Sequence, residues 1–361
     1  MSGAALGSGS LGILFRCDGS GLIGMGHVVR CTALALALKE RDCRARVVMR
    51  DLPGSAGDFV GRAGVSVEVI AHPSSAEETW LSERDLDGTV EAARRWRAGV
   101  VVVDHYGASS DYLGRMKARG VRVAVIDDLA DRDLAPADWL LNQNLGTAGL
   151  AYRVRPDCVR LLGPAFALLR PEFGVTRRHS SKSFRTGDRR VLITLGGGDT
   201  AQLCAEVLSV LQSVPRRLHL RCVVLGEDAV PAGLTEAVGH SPHEVEILNE
   251  PGSMAELMVW ADLSINGSGS TCWELCCLGV PMLVLVLAPN QERNAAELEQ
   301  RGCALSLGAW RPESGARLAG AVENLLADAG RRAAMSRVGR ALVDGAGPAR
   351  AADSLIALVG G

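Results

Sequence analysis

Apolar residues fall along this chain in short runs, each closed by a polar or glycine-rich turn and followed by a longer stretch of mixed character. In the first half, the runs Gly12–Arg16, Arg46–Arg50, Val100–Asp104, Arg122–Asp127 and Trp139–Asn142 read as strands. Helical stretches such as Val28–Arg41 and Asp111–Arg119 lie between them. A polar, basic stretch at Arg177–Arg190 then breaks the pattern. A second set of strands follows, at Arg190–Leu195, Leu218–Leu225, Val245–Leu248, Leu263–Asn266 and Met282–Val286. Strands that alternate with helices predict parallel sheets joined by right-handed crossovers. Two such sets predict an α/β protein of two Rossmann-like domains facing across a cleft, residues 11–175 and 190–345. Residues 346–361 are expected to form a C-terminal helix (Pro348–Val359) and tail, whose packing the pattern does not fix. Ligands of such sheets lie at the carboxyl ends of the strands, where the loops collect.

Composition narrows the picture. A length of 361 residues suits two domains. With 47% hydrophobic but only 4% aromatic residues, Leu, Val and Ala must fill the core. The net charge is −2 and there is no basic stripe, so nucleic acid is not an expected partner. The most apolar run, Val280–Ala288, is too short to span a bilayer, and no stable membrane association is expected. The first ten residues are small and uncharged, a floppy tail rather than a signal peptide. Ten scattered cysteines form no C-x-x-C pair and no zinc spacing, which predicts free thiols in a reducing cytoplasm.

The candidate chemistry sits in loops at expected strand ends. In the first, Asp18 is followed by Gly21, Gly24 and Gly26, which open a helix at His27 and carry Arg30 on its first turn. Glycines let the backbone bend sharply, and a helix start presents unpaired N–H groups and a positive dipole end. The order G-x-x-G-x-G is not the dinucleotide fingerprint, and a neutral imidazole near pH 7 is a suitable general base. The second loop ends a buried strand with Asp104, His105 and Tyr106 on the expected cleft rim. Asp127 and Asp128 end the next strand; two adjacent carboxylates suit a metal or a turn cap, and with no third acidic residue near in sequence the capping or hydrogen-bonding role is the expected one. The third loop, Gly196-Gly-Gly-Asp199, makes a backbone nest around Gly197 suited to an anion or a sugar. The fourth, Asn266-Gly-Ser-Gly-Ser-Thr-Cys-Trp-Glu274, offers Ser268, Gly269, Ser270 and Thr271 at a helix start, with Glu274 a turn further on, in reach of ribose hydroxyls. It has no Gly-Lys-Ser/Thr, so it fits a nucleotide diphosphate held without a P-loop lysine. Asn290 and Gln291 follow the apolar strand beyond it, amides of the kind that read sugar hydroxyls and acetamido groups.

Taken together, these motifs resemble one family. Phe15-Arg16-x-Asp18, Gly24-x-Gly26-His27-x-x-Arg30, Val103-Asp-His-Tyr-Gly107, Ile126-Asp-Asp128, Leu141-Asn-Gln-Asn144, Gly163-Pro…Leu-Leu-Arg-Pro-Glu-Phe173, Gly-Gly-Gly-Asp199 and Gly-Ser-Thr-x-x-Glu274 are similar to the UDP-sugar hydrolases of pseudaminic acid biosynthesis. The resemblance spans roughly residues 11–310. It implies the two-domain GT-B fold shared with the transferase that makes lipid II. It also implies metal-independent hydrolysis of UDP-2,4-diacetamido-2,4,6-trideoxy-β-L-altropyranose by water attacking the anomeric carbon, with no cofactor. On the matching positions, His27 is the expected base, with Asp18 and Tyr106 beside it as catalytic residues. Arg16, Gly24, Gly26, Arg30, His105, Gly197, Asp199, Ser268, Gly269, Ser270, Thr271, Glu274, Asn290 and Gln291 are expected to bind the substrate. The chain departs from the family at Gln202, where Asn is common. A GT-B glycosyltransferase using a UDP-amino sugar, and a sugar-nucleotide-binding protein without turnover, are the competing readings.

Overall fold

Val100–Val103 form a fully buried run without alternation, as a strand covered on both faces of a parallel sheet requires. The same logic applies to Val191–Ile193 and Met282–Leu285 in the second half. The computed structural model describes residues 11–360 apart from 21–22, 53, 72–80, 197–199, 225–231 and 250. The first sheet contains β1 (Gly12–Cys17), β2 (Arg44–Arg50), β3 (Ser66–Ile70), β4 (Ala98–Asp104), β5 (Val123–Ile126), β6 (Trp139–Asn142) and β7 (Val159–Leu162). The second contains β8 (Arg190–Thr194), β9 (His219–Val223), β10 (Glu244–Leu248), β11 (Leu263–Gly267), β12 (Met282–Val286) and β13 (Ala304–Ala309). Their orders are β3-β2-β1-β4-β5-β6-β7 and β10-β9-β8-β11-β12-β13. Every pairing within them is parallel. Two Rossmann-like domains are therefore present, as the strand–helix alternation predicts. Sequence reading missed β3, β7 and β13.

Each sheet reverses its strand order once, between β1 and β4 and between β8 and β11. These switch points open a crevice at the carboxyl ends of the strands. The glycine turn after β1 and the Asp-His-Tyr segment after β4 flank the first. Leu195–Gly196 and the serine–threonine loop flank the second.

The chain crosses between domains earlier than the expected limit at residue 175. Leu168 packs in the first domain's core, whereas Phe173, on the helix Pro171–His179, packs in the second domain's. The crossing is pinned by Arg177, which donates to the carbonyls of Cys277 (2.7 Å), Arg340 (2.8 Å) and Val343 (3.1 Å). The C-terminal helix, Gly347–Gly360, returns to the first domain. Its Ala351, Ala352 and Leu355 are buried in that domain's core, and Ser354 Oγ accepts a hydrogen bond from Trp139 Nε1 at 3.0 Å. Leu355→Ala is expected to cost about 2–5 kcal/mol of stability by the usual cavity penalty, read from denaturant unfolding monitored at the tryptophans.

All ten cysteines are free and buried. Among the described residues, no helix is long and apolar enough to cross a membrane. The expected N-terminal tail, residues 1–10, lies outside the described residues.

Candidate active site

A cleft of about 240 Å³ lies between the domains, lined by residues from both. Its first wall begins with the glycine turn. Gly24 has φ +80°, a left-handed conformation that favours glycine, and its N–H bonds back to the Ser20 carbonyl at 2.8 Å. This tight turn starts the helix Gly26–Lys39, whose first N–H groups have no side-chain cap. A Cβ added to Gly26 would lie 3.8 Å from Ser270 Oγ, an ordinary contact that shows how closely the two walls approach.

His27, on the first turn of that helix, is held by Asp104 at the end of β4. Its Nδ1 lies 2.7 Å from Asp104 Oδ1, and Nε2 carries no hydrogen bond among the described residues. Burial alone would raise the Asp104 carboxyl, but Arg30 and then His27 outweigh it and hold the group well below the carboxylate range. An ionised Asp104 can only accept, so Nδ1 carries a ring proton, and in the neutral tautomer this sets, the lone pair lies on Nε2. Arg30 Nη2 also lies 3.2 Å from Nδ1, but it is a pure donor already engaged by carboxylates and does not compete for that proton. Arg30 bridges two acids: Nε and Nη2 reach Asp104 at 2.6 Å each, and Nη1 and Nη2 reach Asp128 at 3.0 and 2.9 Å.

Asp128 organises the rest of this wall. Besides Arg30, it accepts from Tyr106 Oη (3.0 Å) and Asn144 Nδ2 (2.9 Å). Burial opposes its charge, yet Arg30 keeps its carboxyl below the ordinary range. The Tyr106 ring meets His27 edge-on with centroids 4.8 Å apart. Burial and the neighbouring Asp128 push its phenol above the usual range. Asp127 turns away and accepts from the N–H groups of Leu129 (3.1 Å) and Ala130 (2.7 Å). The adjacent acids thus serve separate hydrogen-bond sets, in keeping with the turn-cap reading.

The opposite wall is the start of the helix Thr271–Leu278. Ser270 makes no side-chain cap; the N–H groups of Cys272 and Trp273 bond the carbonyls of Gly269 (3.1 Å) and Ser270 (3.0 Å), and Gly269, Ser270 and Thr271 line the cleft. Ser268 Oγ bonds to Gln291 and the Leu285 carbonyl, and Gln291 Oε1 accepts from Leu287 N–H at 3.1 Å, so these two shape the loop as well as lining it. Asn294 is 7% exposed; its Nδ2 bonds the Ser268 carbonyl at 2.7 Å and its Oδ1 has no partner. It lines the cleft. Asn290 Nδ2 donates to Tyr106 Oη at 3.1 Å, a hydrogen bond joining the two domains. Two helix N-termini and several hydroxyls therefore converge on one space, which suits a polyanion such as a diphosphate.

Four expected site residues lie elsewhere. Asp18 does not line the cleft. Its oxygens accept from Arg16 (2.8 and 3.0 Å) and from the Arg50 N–H and Nε (2.8 and 2.7 Å), with His105 Nε2 at 3.3 Å. Burial opposes its charge, but Arg16 and then His105 hold the carboxyl far below its usual range. It is a fixed structural anion and no proton acceptor. Arg16 and His105 belong to that same buried network, with Asp85 as a further partner. These three are corrected from site residues to supports of the β1 and β4 ends. Because Asp18, Asp104 and Asp128 are depressed, the stability they contribute is present above about pH 4 and is lost as the pH falls below it. Glu274 is buried against Arg170 at the crossing, at 3.5 Å, rather than lining the cleft. Gly197 and Asp199 lie outside the described residues, as does Gly21.

Burial pushes the Glu274 carboxyl up from an ordinary 4.5 to about 7, against the pull of Arg170. A raised acid is favoured neutral in the fold, so its ionisation cost appears as pH climbs through that interval. Glu274→Gln is expected to be neutral near pH 5 and stabilising by roughly 1–3 kcal/mol near pH 8, measured as the difference in urea midpoints.

Asp104 and Asp128 were candidate strand-end residues without an assigned role, and Gln143, Asn144 and Asn294 were not among the expected site residues. Asn144 and Gln143 carried a signal, since they follow β6 directly, as the other site loops follow their strands.

Comparison with known proteins places the architecture in a class. Residues 192–345 match the Glycosyltransferase family 28 C-terminal domain. The solved structure of MurG from Acinetobacter baumannii superposes with a TM-score of 0.67 at 15% identity, covering 96% of this chain and 99% of that one. The fold is thus the glycosyltransferase-like GT-B fold. In sequence, the chain is 25% identical over 333 residues to the spore coat polysaccharide biosynthesis protein SpsG of Bacillus subtilis (strain 168), covering 91% of this chain and 93% of the relative. It is 23% identical over 295 residues to the UDP-2,4-diacetamido-2,4,6-trideoxy-beta-L-altropyranose hydrolase of Campylobacter jejuni subsp. jejuni serotype O:2, covering 80% of this chain and 97% of that relative.

Proposed function

We propose that this chain binds a UDP-sugar between its domains and hydrolyses it to UDP and the free sugar. The observation that carries this reading is the His27–Asp104 pair, with the imidazole Nε2 unengaged opposite the serine–threonine helix start. The diphosphate would lie against the N–H groups and hydroxyls of Ser270 and Thr271. Water held near His27 Nε2 would attack the anomeric carbon. The new bond is C1–O(water), the broken bond is C1–O(diphosphate), and the water proton goes to Nε2. UDP leaves as an anion that needs no strong acid, because helix N-terminal amides meet its developing charge. His27 then supplies about 10²–10⁴-fold of the acceleration.

The substrate we propose is UDP-2,4-diacetamido-2,4,6-trideoxy-β-L-altropyranose, in nonulosonic acid biosynthesis. The motif resemblance and the name of the Campylobacter relative support it. The free buried thiols support a cytoplasmic site of action. The test is to incubate purified protein with that UDP-sugar and no acceptor. UDP release supports hydrolysis; release only after adding an acceptor would establish a transferase instead.

A further inference from the structure

We propose that His105 is a positioning residue: its imidazole clamps the Gly107 N–H and so fixes the turn that carries Tyr106 into the cleft. The proposal rests on the UDP-sugar reading for its effect on turnover. It gives His105, expected from the sequence to bind substrate, a role on the far side of the loop instead.

The strand β4 ends at Asp104, and His105 is the first residue beyond it. His105 is 6% exposed, and its ring turns back on its own backbone. The Gly107 N–H donates to its Nδ1 at 2.9 Å, with Tyr106 between the two. A side chain that accepts from the amide two residues on shapes a turn as a backbone hydrogen bond would. That N–H can only donate, so Nδ1 keeps a lone pair and the proton of the neutral ring sits on Nε2. Nε2 faces Asp18 Oδ2 at 3.3 Å, an ionised acceptor, and Arg50 Nη2 at 3.2 Å, which can only donate. Asp18 thus sets the tautomer. The two histidines at this strand end are opposite tautomers: Nδ1–H in His27 beside Asp104, Nε2–H in His105 beside Asp18. A second proton on His105 could go only to Nδ1, where it would meet the Gly107 N–H. Burial disfavours that charge, against the pull of Asp18.

Tyr106 is what the clamp holds. Its carbonyl accepts from Arg132 Nη1 at 3.0 Å, and the Gly107 carbonyl accepts from the Leu81 N–H at 3.3 Å. With the backbone fixed on both sides, the Tyr106 ring meets His27 edge-on and its hydroxyl reaches Asp128. Gly107 is buried, so its N–H is costly to leave unpaired, and loss of the Nδ1 acceptor would shift the turn.

The test compares His105→Asn with His105→Gln in the full-length protein. Asparagine puts an acceptor oxygen in the place of Nδ1, where it can take the Gly107 N–H. Glutamine carries its polar atoms out to the distance of Nε2 and cannot. His105→Asn is expected to keep kcat for the UDP-sugar within about fivefold of wild type, and His105→Gln to lower it about 10–10²-fold, the scale of misplaced site groups. The Kd for UDP should stay within about twofold in both, since the change acts on the other wall. A merely structural role would lower kcat with urea stability, alike in the two variants, and that result would overturn the inference. Wild type supplies a second measurement that needs neither variant nor turnover. Long-range ¹H–¹⁵N spectra should show Nδ1 of His105 unprotonated, and the Gly107 amide should exchange slowly with solvent. A protonated Nδ1, or a Gly107 amide exchanging as an exposed loop does, would overturn the inference. Absence of UDP release by wild type would overturn the hydrolysis reading alone, and the spectra would still decide the clamp.

Discussion

His27→Ala is expected to lower kcat for the UDP-sugar by about 10²–10⁴-fold or more, while the Kd for UDP stays within about twofold. Only the imidazole supplies a lone pair in the cleft with its tautomer set by a partner. Asp18 is fully engaged by two arginines and a histidine, Asp104 and Asp128 are tied to Arg30, and the Tyr106 phenol is pushed above its ordinary range. None can substitute as base near neutral pH. In the proposed complex the diphosphate would lie against Ser270 and Thr271 on the opposite wall, which the substitution leaves in place. Activity should fall and nucleotide affinity should not. Single-turnover assays with UDP titration separate the two; retained turnover would remove the assigned base.

Asp104→Asn is the second large effect, a loss of about 10²–10⁴-fold in kcat with UDP affinity held. Arg30 donates to both oxygens of Asp104, so an amide in that place must set its NH₂ against one of them or against His27. Turned toward His27, it donates to Nδ1, drives the ring proton to Nε2 and blocks the base. Turned away, it opposes Arg30 Nε and loosens the ring. The fold should tolerate the change, because Arg30 keeps Asp128 as a partner. Far-ultraviolet circular dichroism and UDP titration should match wild type, while the pH–rate profile should lose the limb that reports the base.

What the sequence disclosed follows from burial and from the two-residue period of strands. Central strands such as Ala98–Asp104 are buried on both faces and read as apolar runs. The missed strands β3, β7 and β13 are all sheet edges, half-solvated and mixed in character, as in Ser66-Val-Glu-Val-Ile70 and Val159-Arg-Leu-Leu162. The C-terminal helix was visible, but its return to the first domain was not, because its partners Trp139 and the helix Gly26–Lys39 lie far away in sequence. In the site, successive residues at a strand end face opposite sides. Asp104 and Tyr106 turn to His27 and the cleft, whereas His105, between them, turns to Asp18 and Arg50. Arg16 and Asp18 share that second side. Position at the ends of two strands grouped all five, and the pleat separated them. Asp104 was visible at a strand end, but its role needed the distance to His27, which only the β1–β4 pairing supplies.

The central claim is that water, activated by His27, attacks the anomeric carbon. The measurement that meets it most directly is turnover of the UDP-diacetamido sugar in ¹⁸O-labelled water without acceptor, with both products weighed by mass spectrometry. The label is expected in the anomeric hydroxyl of the free sugar and absent from UDP. Label in the UDP phosphate, or no UDP release until an acceptor is added, would contradict it.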